Sequence, residues 1–185
     1  MEWFTSDLHL FHNKEFLYKP RGFNSVWEMN DAVITNWNKV VGIYDDVYVL
    51  GDLMLNDNEG GIKLLKSLKG CLHIICGNHD TDTRKELYRK MYNVVEVCEA
   101  KTIKVNGYRF FLCHYPVLCA NYDDEEKPLS RKLISLCGHS HTQDKFADWD
   151  KGIIYHVELD AHNCSPINAE KIIEDIKQKE IINGR

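Results

Sequence analysis

"CLHIICGNHD", residues 71–80, reads as a buried strand that breaks at a glycine into a polar cluster. A short apolar run bounded by turn formers is the pattern of a strand covered on both faces. "DVYVLGD", residues 46–52, has the same layout: apolar strand, glycine, acid. Between the two, Ile62, Leu64, Leu65 and Leu68 recur at helical spacing, with Gly70 as the expected C-cap. Further upstream, "EWFTS" is a first strand that runs into "TSDLHLFHN", residues 5–13, where Asp7, His9 and His12 interrupt the apolar residues. "SVWE" at 25–28 is a capping box that opens a helix expected to reach about Val41, with Met29, Val33, Trp37 and Val40 on one face.

Downstream of Asp80, a second capping box, "TRKE" at 83–86, predicts a helix with Leu87 and Met91 on one face. The pattern then changes to strands in succession: "NVVEVC", "KTIKV" and "YRFFLC". Asn106-Gly107 joins the last two as a hairpin. "KLISLCGHSH" and "GIIYHVELD" are further strands. Ser165-Pro166 is read as the N-cap and first turn of a final helix striped by Ala169, Ile172, Ile173 and Ile176. Strand–helix alternation followed by a strand-rich half predicts a layered αββα sandwich, two mixed β-sheets flanked by helices, in one domain spanning 1–185.

The composition narrows the function classes. Of 185 residues, 44% are hydrophobic and 28% charged, with net charge −5. That balance disfavours wrapping of nucleic acid, and no stable nucleic-acid complex is expected. No apolar run approaches the roughly 18 residues of a membrane span, and no signal peptide is expected at the N-terminus. Seven cysteines without a C-x-x-C pair fit buried thiols in a reduced, cytoplasmic chain better than a disulfide framework.

The polar clusters share one position. Asp7-Leu8-His9, Gly51-Asp52, Gly77-Asn78-His79-Asp80, His114 and Gly138-His139-Ser140-His141 each follow an apolar strand. Ligands of α/β sheets bind beyond the carboxyl ends of strands, so distant segments are placed to converge. Carboxylate, imidazole and one amide, without thiolate, suit Mn²⁺, Fe²⁺, Ni²⁺ or Zn²⁺. The i, i+2 pairs Asp7/His9 and His139/His141 would share a face in extended chain, about 6–7 Å apart at Cα. The set exceeds what one tetrahedral ion needs, and a pair of ions would use it all. Gly51, Gly77 and Gly138 before the ligands allow close backbone approach.

In this order the motifs resemble those of the calcineurin-like metallophosphoesterases: D-x-H, G-D, G-N-H-[DE], H, G-H-x-H. "SVWEMNDAVITNWNKVV", "HYP" at 114–116 and "VELDAHNCSP" also look like a small microbial and phage-type branch. The resemblance implies one metal on Asp7, His9, Asp52 and His141, and a second on Asp52, Asn78, His114 and His139. It implies hydrolysis of phosphate esters by attack of a metal-bound hydroxide. His79 is then the catalytic imidazole that meets the phosphoryl group or the leaving oxygen, with Asp80 expected to bond its other nitrogen. Purple acid phosphatases, similar at motif level, carry a tyrosine three residues after the G-D aspartate. Here that residue is Leu55, so Mn²⁺ or Fe²⁺ is expected first.

A small phosphate ester is the expected partner, first a phosphodiester such as a nucleotide. A phosphomonoesterase, a nuclease or a silent binding scaffold are the alternatives. His12 and Arg21 are candidate substrate contacts, each weighed against an ordinary loop role. His73, His156 and Cys137 are read as structural. Asp160, His162 and Asn163 are read as capping the last helix, with support of the site as the alternative. "DDEE" at 123–126 is read as a solvated loop.

Overall fold

A computed structural model describes residues 1–119, 127–147 and 152–182, so the "DDEE" reading lies outside the described residues. The first half alternates β1 (Glu2–Thr5), α1 (Glu15–Tyr18), α2 (Val26–Val40), β2 (Asp46–Leu50), α3 (Asn58–Lys66), β3 (Cys71–Ile75) and α4 (Asp82–Arg89). Then come β4 (Val94–Cys98), β5 (Ala100–Val105), β6 (Tyr108–Cys113), β7 (Leu133–Cys137), β8 (Phe146–Ala147), β9 (Ile154–His156), β10 (Ile167–Asn168) and α5 (Ala169–Ile182). One sheet has the order β10-β1-β2-β3-β4 and the other β5-β6-β7-β9-β8. Both are mixed: β1 to β4 are parallel with β10 antiparallel at the edge, and β6-β7-β9 are parallel between antiparallel β5 and β8. This is the layered sandwich expected from the sequence. The three successive strands divide between the sheets, because β4 pairs with β3 while β5 opens the second sheet.

Strand alternation explains how the layers hold. Trp3, Val47, Val49, Leu72 and Ile74 pack with Met29, Val33 and Trp37 of α2, Leu65 of α3 and Tyr88 of α4. Their neighbours Phe4, Leu50 and Ile75 face the other way, into a second core with Phe110, Leu112, Ile134, Leu136 and Tyr155 of the second sheet and Ile172 and Ile176 of α5. Trp37 is fully buried, and its Nε1 donates to the Lys69 carbonyl at 2.9 Å. Trp37→Ala would cost about 3–5 kcal/mol through the cavity it leaves.

Helix ends differ from expectation in instructive ways. Ser25 caps α2 by accepting from the Glu28 amide at 3.2 Å, but the Glu28 carboxylate reaches back to the Asn24 amide. α4 starts after Thr81, so Thr83 lies inside the helix. Asp57 caps α3, which stops at Lys66; Gly70, at φ +96°, turns the chain into β3 four residues later. Ser165-Pro166 does not open α5. β10 intervenes, and Asn168 Oδ1 accepts from the Lys171 amide at 2.8 Å in the capping role.

All seven cysteines are free thiols. Among the described residues no helix is long and apolar enough to cross a membrane.

Candidate metal centre

The segment after β1 keeps pairing with the segment after β2. The amides of Asp7, His9 and Leu10 donate to the carbonyls of Gly51, Asp52 and Leu53 at 3.0, 2.9 and 3.0 Å. The pattern Asp-Leu-His-Leu then sorts its side chains: Leu8 and Leu10 are fully buried in the helix-side core, and Asp7 and His9 face the site. The backbone is not extended here. Asp7 (φ 56°), His9 (φ 48°), Asp52 (φ 56°), His139 (φ 73°) and His141 (φ 49°) all lie in the left-handed region. Such a residue without glycine's freedom costs roughly 1–2 kcal/mol. The convergence expected of Asp7/His9 and His139/His141 is therefore achieved by strained loop backbone rather than by a strand face.

Each aspartate divides its oxygens in the same way. Asp7 Oδ2 accepts the His139 amide at 2.9 Å, and Asp52 Oδ1 accepts the His79 amide at 2.8 Å. The other oxygens face one another's ligands. Asp7 Oδ1 is buried without a hydrogen-bond donor, 3.6 Å from both His9 Nε2 and His141 Nε2. Asp52 Oδ2 stands 3.7 Å from His9 Nε2 and 3.6 Å from His114 Nε2. His9 Nε2 and His141 Nε2 are 3.1 Å apart. Asn78 Oδ1 is 3.0 Å from both His114 Nε2 and His139 Nδ1, which are 3.2 Å from each other.

These distances suit a metal. With metal–ligand bonds of about 2.1 Å, ligand atoms of one ion stand roughly 3.0–3.4 Å apart. The ligand atoms of Asp7, His9 and His141 lie within 4.8 Å of one another, as do those of Asp7, Asp52 and His114. An orphaned carboxylate oxygen facing imidazole nitrogens fits a cation better than it fits a packed core.

The imidazoles differ in what surrounds them. His114 Nδ1 donates to the Leu50 carbonyl at 2.8 Å, which leaves the Nε2 lone pair to the site. Burial holds His9 below the usual imidazole range, against the pull of Asp7. For His141 burial also works downward, but the hydrogen bond with Asp160 and the charge of Asp7 prevail and raise it.

Glycine at 51 and 138 is required by contact. Gly51 has φ +87°, and a Cβ there would stand 2.5 Å from His114 Nδ1 and 2.6 Å from the Gly77 amide nitrogen. A Cβ at Gly138 would collide with Ser6 Oγ and Asp7 Oδ2.

The remaining candidates move from their expected places. His79 is half-buried at the rim, with Nε2 3.9 Å from Asp52 Oδ2. Asp80 does not hold it. The Asp80 carboxylate is buried and accepts from the amides of Asp52 (2.8 Å), Leu53 (3.3 Å) and Gly77 (2.9 Å) and from the Tyr88 hydroxyl (2.8 Å). It ties the two ligand loops together. Arg21 is not a solvated loop residue. Its side chain is 1% exposed and grips Asp160, while Nη2 also donates to the Asp7 carbonyl at 2.8 Å. Asp160 Oδ2 in turn lies 3.3 Å from His141 Nδ1, so Asp160 braces the His141 ring rather than capping the last helix. His12 sits behind His9, Nδ1 to Nδ1 at 3.2 Å, and burial pushes it down to about 4, with His9 and His79 adding to the shift. His73 is structural, held between Asp46 and Glu96 at 2.9 and 2.5 Å.

A family model for the calcineurin-like phosphoesterase superfamily domain matches residues 4–156. The chain belongs to the calcineurin-like phosphoesterase superfamily. Among relatives, an uncharacterized protein of Methanocaldococcus jannaschii is 30% identical over 185 residues, covering 97% of this chain and 93% of its own. The gene 66 protein of Mycobacterium phage L5 is 38% identical over 162 residues, covering 76% and 77%. In fold, a protein of unknown function from Aquifex aeolicus superposes with a TM-score of 0.71 at 24% identity, covering 94% of this chain and 98% of that one. An archaeal phosphodiesterase shares the fold at a TM-score of 0.52 and 16% identity, covering 92% and 94%. Calcineurin-like phosphoesterases typically bind divalent metals, and the donor cluster stands where a strand-end ligand site of this fold belongs.

Proposed function

We propose that the chain is a two-metal phosphoesterase that acts by preference on phosphodiesters. The observation that carries this is the position of Asp52 Oδ2, 3.7 Å from His9 Nε2 on one side and 3.6 Å from His114 Nε2 on the other. One oxygen between two donor groups is the arrangement that two neighbouring ions share. Asp7, His9, Asp52 and His141 would hold one ion, and Asp52, Asn78, His114 and His139 the other. Bound divalent ions supply Lewis acidity, lowering the pKa of water and offsetting phosphate charge. Mn²⁺ or Fe²⁺ is the assignment, from the oxygen and nitrogen donors and Leu55 in place of a tyrosine.

The chain's own residues do the rest. Asn78, His139 and His141 form an exposed rim above buried Asp7, His9, Asp52 and His114. The exposure of these rim residues is the reason a diester is placed first. His79 stands at that rim as the group that steadies the phosphoryl oxygens or hands a proton to the leaving oxygen. Its backbone amide is fixed on Asp52 Oδ1, so the loop that aims it is anchored to the cluster. Small phosphate esters are the partners in this reading, and free thiols support a cytoplasmic setting.

The test is hydrolysis of a chromogenic phosphodiester and a phosphomonoester with and without Mn²⁺. Metal-dependent turnover with the diester favoured is expected. A favoured monoester would replace the diester preference. Absence of turnover with both would leave a binding scaffold.

A further inference from the structure

His9 turns one ring nitrogen to the cluster and the other to His12. Nε2 stands 3.6 Å from Asp7 Oδ1, 3.7 Å from Asp52 Oδ2 and 3.1 Å from His141 Nε2. Nδ1 stands 3.2 Å from His12 Nδ1. His9 is 1% exposed, so bulk water is a poor substitute for that second contact. A cation held by Nε2 uses the lone pair of that nitrogen, and the neutral ring then carries its proton on Nδ1. The proton needs an acceptor at its own end of the ring. His114 finds one in the Leu50 carbonyl, and His141 in the Asp160 carboxylate. His9 finds an imidazole.

The turn after His9 brings that imidazole back over it. The His12 amide donates to the His9 carbonyl at 3.0 Å, and the Lys14 amide to the His12 carbonyl at 2.8 Å. The reversal passes through Phe11 at φ 63°, a left-handed conformation that costs roughly 1–2 kcal/mol in a residue other than glycine. Phe11 is held on three sides. Its amide donates to Asn30 Oδ1 at 3.2 Å, its carbonyl accepts from Asn56 Nδ2 at 3.0 Å, and its ring meets that of Trp27 edge-on at 5.3 Å. Phe16 stands edge-on to the His12 ring at 5.7 Å. Contacts from α2, from the loop after β2 and from α1 thus fix where His12 sits.

We propose that His12 is a positioning residue for the ion assigned to Asp7, His9, Asp52 and His141. Its Nδ1 accepts the His9 Nδ1 proton and so keeps the His9 Nε2 lone pair on the cluster. The proposal rests on the reading of that cluster as a metal centre. His12 then acts through His9 rather than on the substrate. Without the acceptor, His9 either turns its ring or leaves a buried N–H unbonded, and both weaken the grip on the ion.

The experiment is calorimetric titration of Mn²⁺ into the metal-stripped protein, unaltered and as His12→Phe, His12→Ala and His12→Asn, with circular dichroism to check the fold. His12→Phe keeps a ring against Phe16 and removes the acceptor. His12→Ala removes both. His12→Asn loses the ring but sets an amide oxygen where Nδ1 was. His12→Phe and His12→Ala are expected to weaken Mn²⁺ binding roughly 10- to 100-fold, and His12→Asn to recover most of that loss. Unchanged affinity in His12→Phe or His12→Ala, or a loss in His12→Asn as large as theirs, overturns the proposal. This dependence on His12 in a protein that hydrolyses no phosphate ester would uphold the positioning role and refute the enzyme reading. Metal-dependent hydrolysis with Mn²⁺ binding indifferent to all three substitutions would do the reverse. Absence of Mn²⁺ binding by the unaltered protein would overturn both.

Discussion

The guanidinium of Arg21 holds the carboxylate of Asp160 through two bonds, Nε to Oδ1 at 3.0 Å and Nη2 to Oδ2 at 2.6 Å. The same Nη2 donates to the Asp7 carbonyl, and Asp160 Oδ2 lies against His141 Nδ1. One buried fork therefore sets the backbone of one candidate ligand and the ring of another. Only a planar guanidinium can make these bonds at once.

Arg21→Lys and Asp160→Asn are each expected to weaken Mn²⁺ binding roughly 10- to 100-fold, the usual cost of losing a ligand's support. Competition with a metal-sensitive chelator dye measures it, and circular dichroism checks the fold. Unchanged affinity in both variants would make the pair a packing feature only.

His79→Asn is expected to keep the metal content of the unaltered protein and to lose about 10²- to 10⁴-fold in kcat, the range for removing a general acid. Metal analysis alongside turnover separates the two effects. Full turnover would remove His79 from the chemistry.

Gly138→Ala places a methyl group against Ser6 Oγ and the Asp7 carboxylate. The neighbours cannot yield without moving a ligand, so the variant is expected to lose roughly 1–3 kcal/mol of stability and most of its metal. Urea unfolding and metal analysis check this. Gly107→Ala, in the hairpin with open space around it, should keep its metal.

Asp175 predicts a pH effect away from the site. Burial works to raise its carboxyl, but Lys145, Tyr155 and Lys171 bond it and hold it below the usual carboxylate range. A carboxyl depressed in the folded state stabilises fully above its unfolded pKa, about 3.9, and loses that contribution as pH falls through the folded value. The stability gap between the unaltered protein and Asp175→Asn should be widest near pH 7 and shrink below about pH 4. Urea midpoints across that range measure it, and a gap independent of pH would contradict it.

The sequence made the cluster legible because its candidate ligands come in short motifs at strand ends, and strands announce themselves by apolar runs. Asp7, His9, Asp52, Asn78, His114, His139 and His141 could be named without coordinates for that reason. The left-handed backbone of Asp7, His9 and Asp52 could not, because the strain goes with pairing between the 7–10 and 51–53 segments, not with local preference. Arg21 and Asp160 stood 139 residues apart with no local signal joining them. Asp80 looked like a partner for its neighbour His79, but four donors, from the loop after β2, from α4 and from its own loop at Gly77, claim it first. Thr83 and Ser165-Pro166 carried valid capping chemistry, yet the helices start elsewhere, because packing fixes which of several local starts is used.

The shared position of Asp52 Oδ2 is tested most directly by titrating Mn²⁺ into metal-stripped protein while following hydrolysis of a chromogenic phosphodiester. The expected result is activity that rises until two equivalents are bound. Saturation at one equivalent, or hydrolysis that ignores the metal, would contradict the two-metal account.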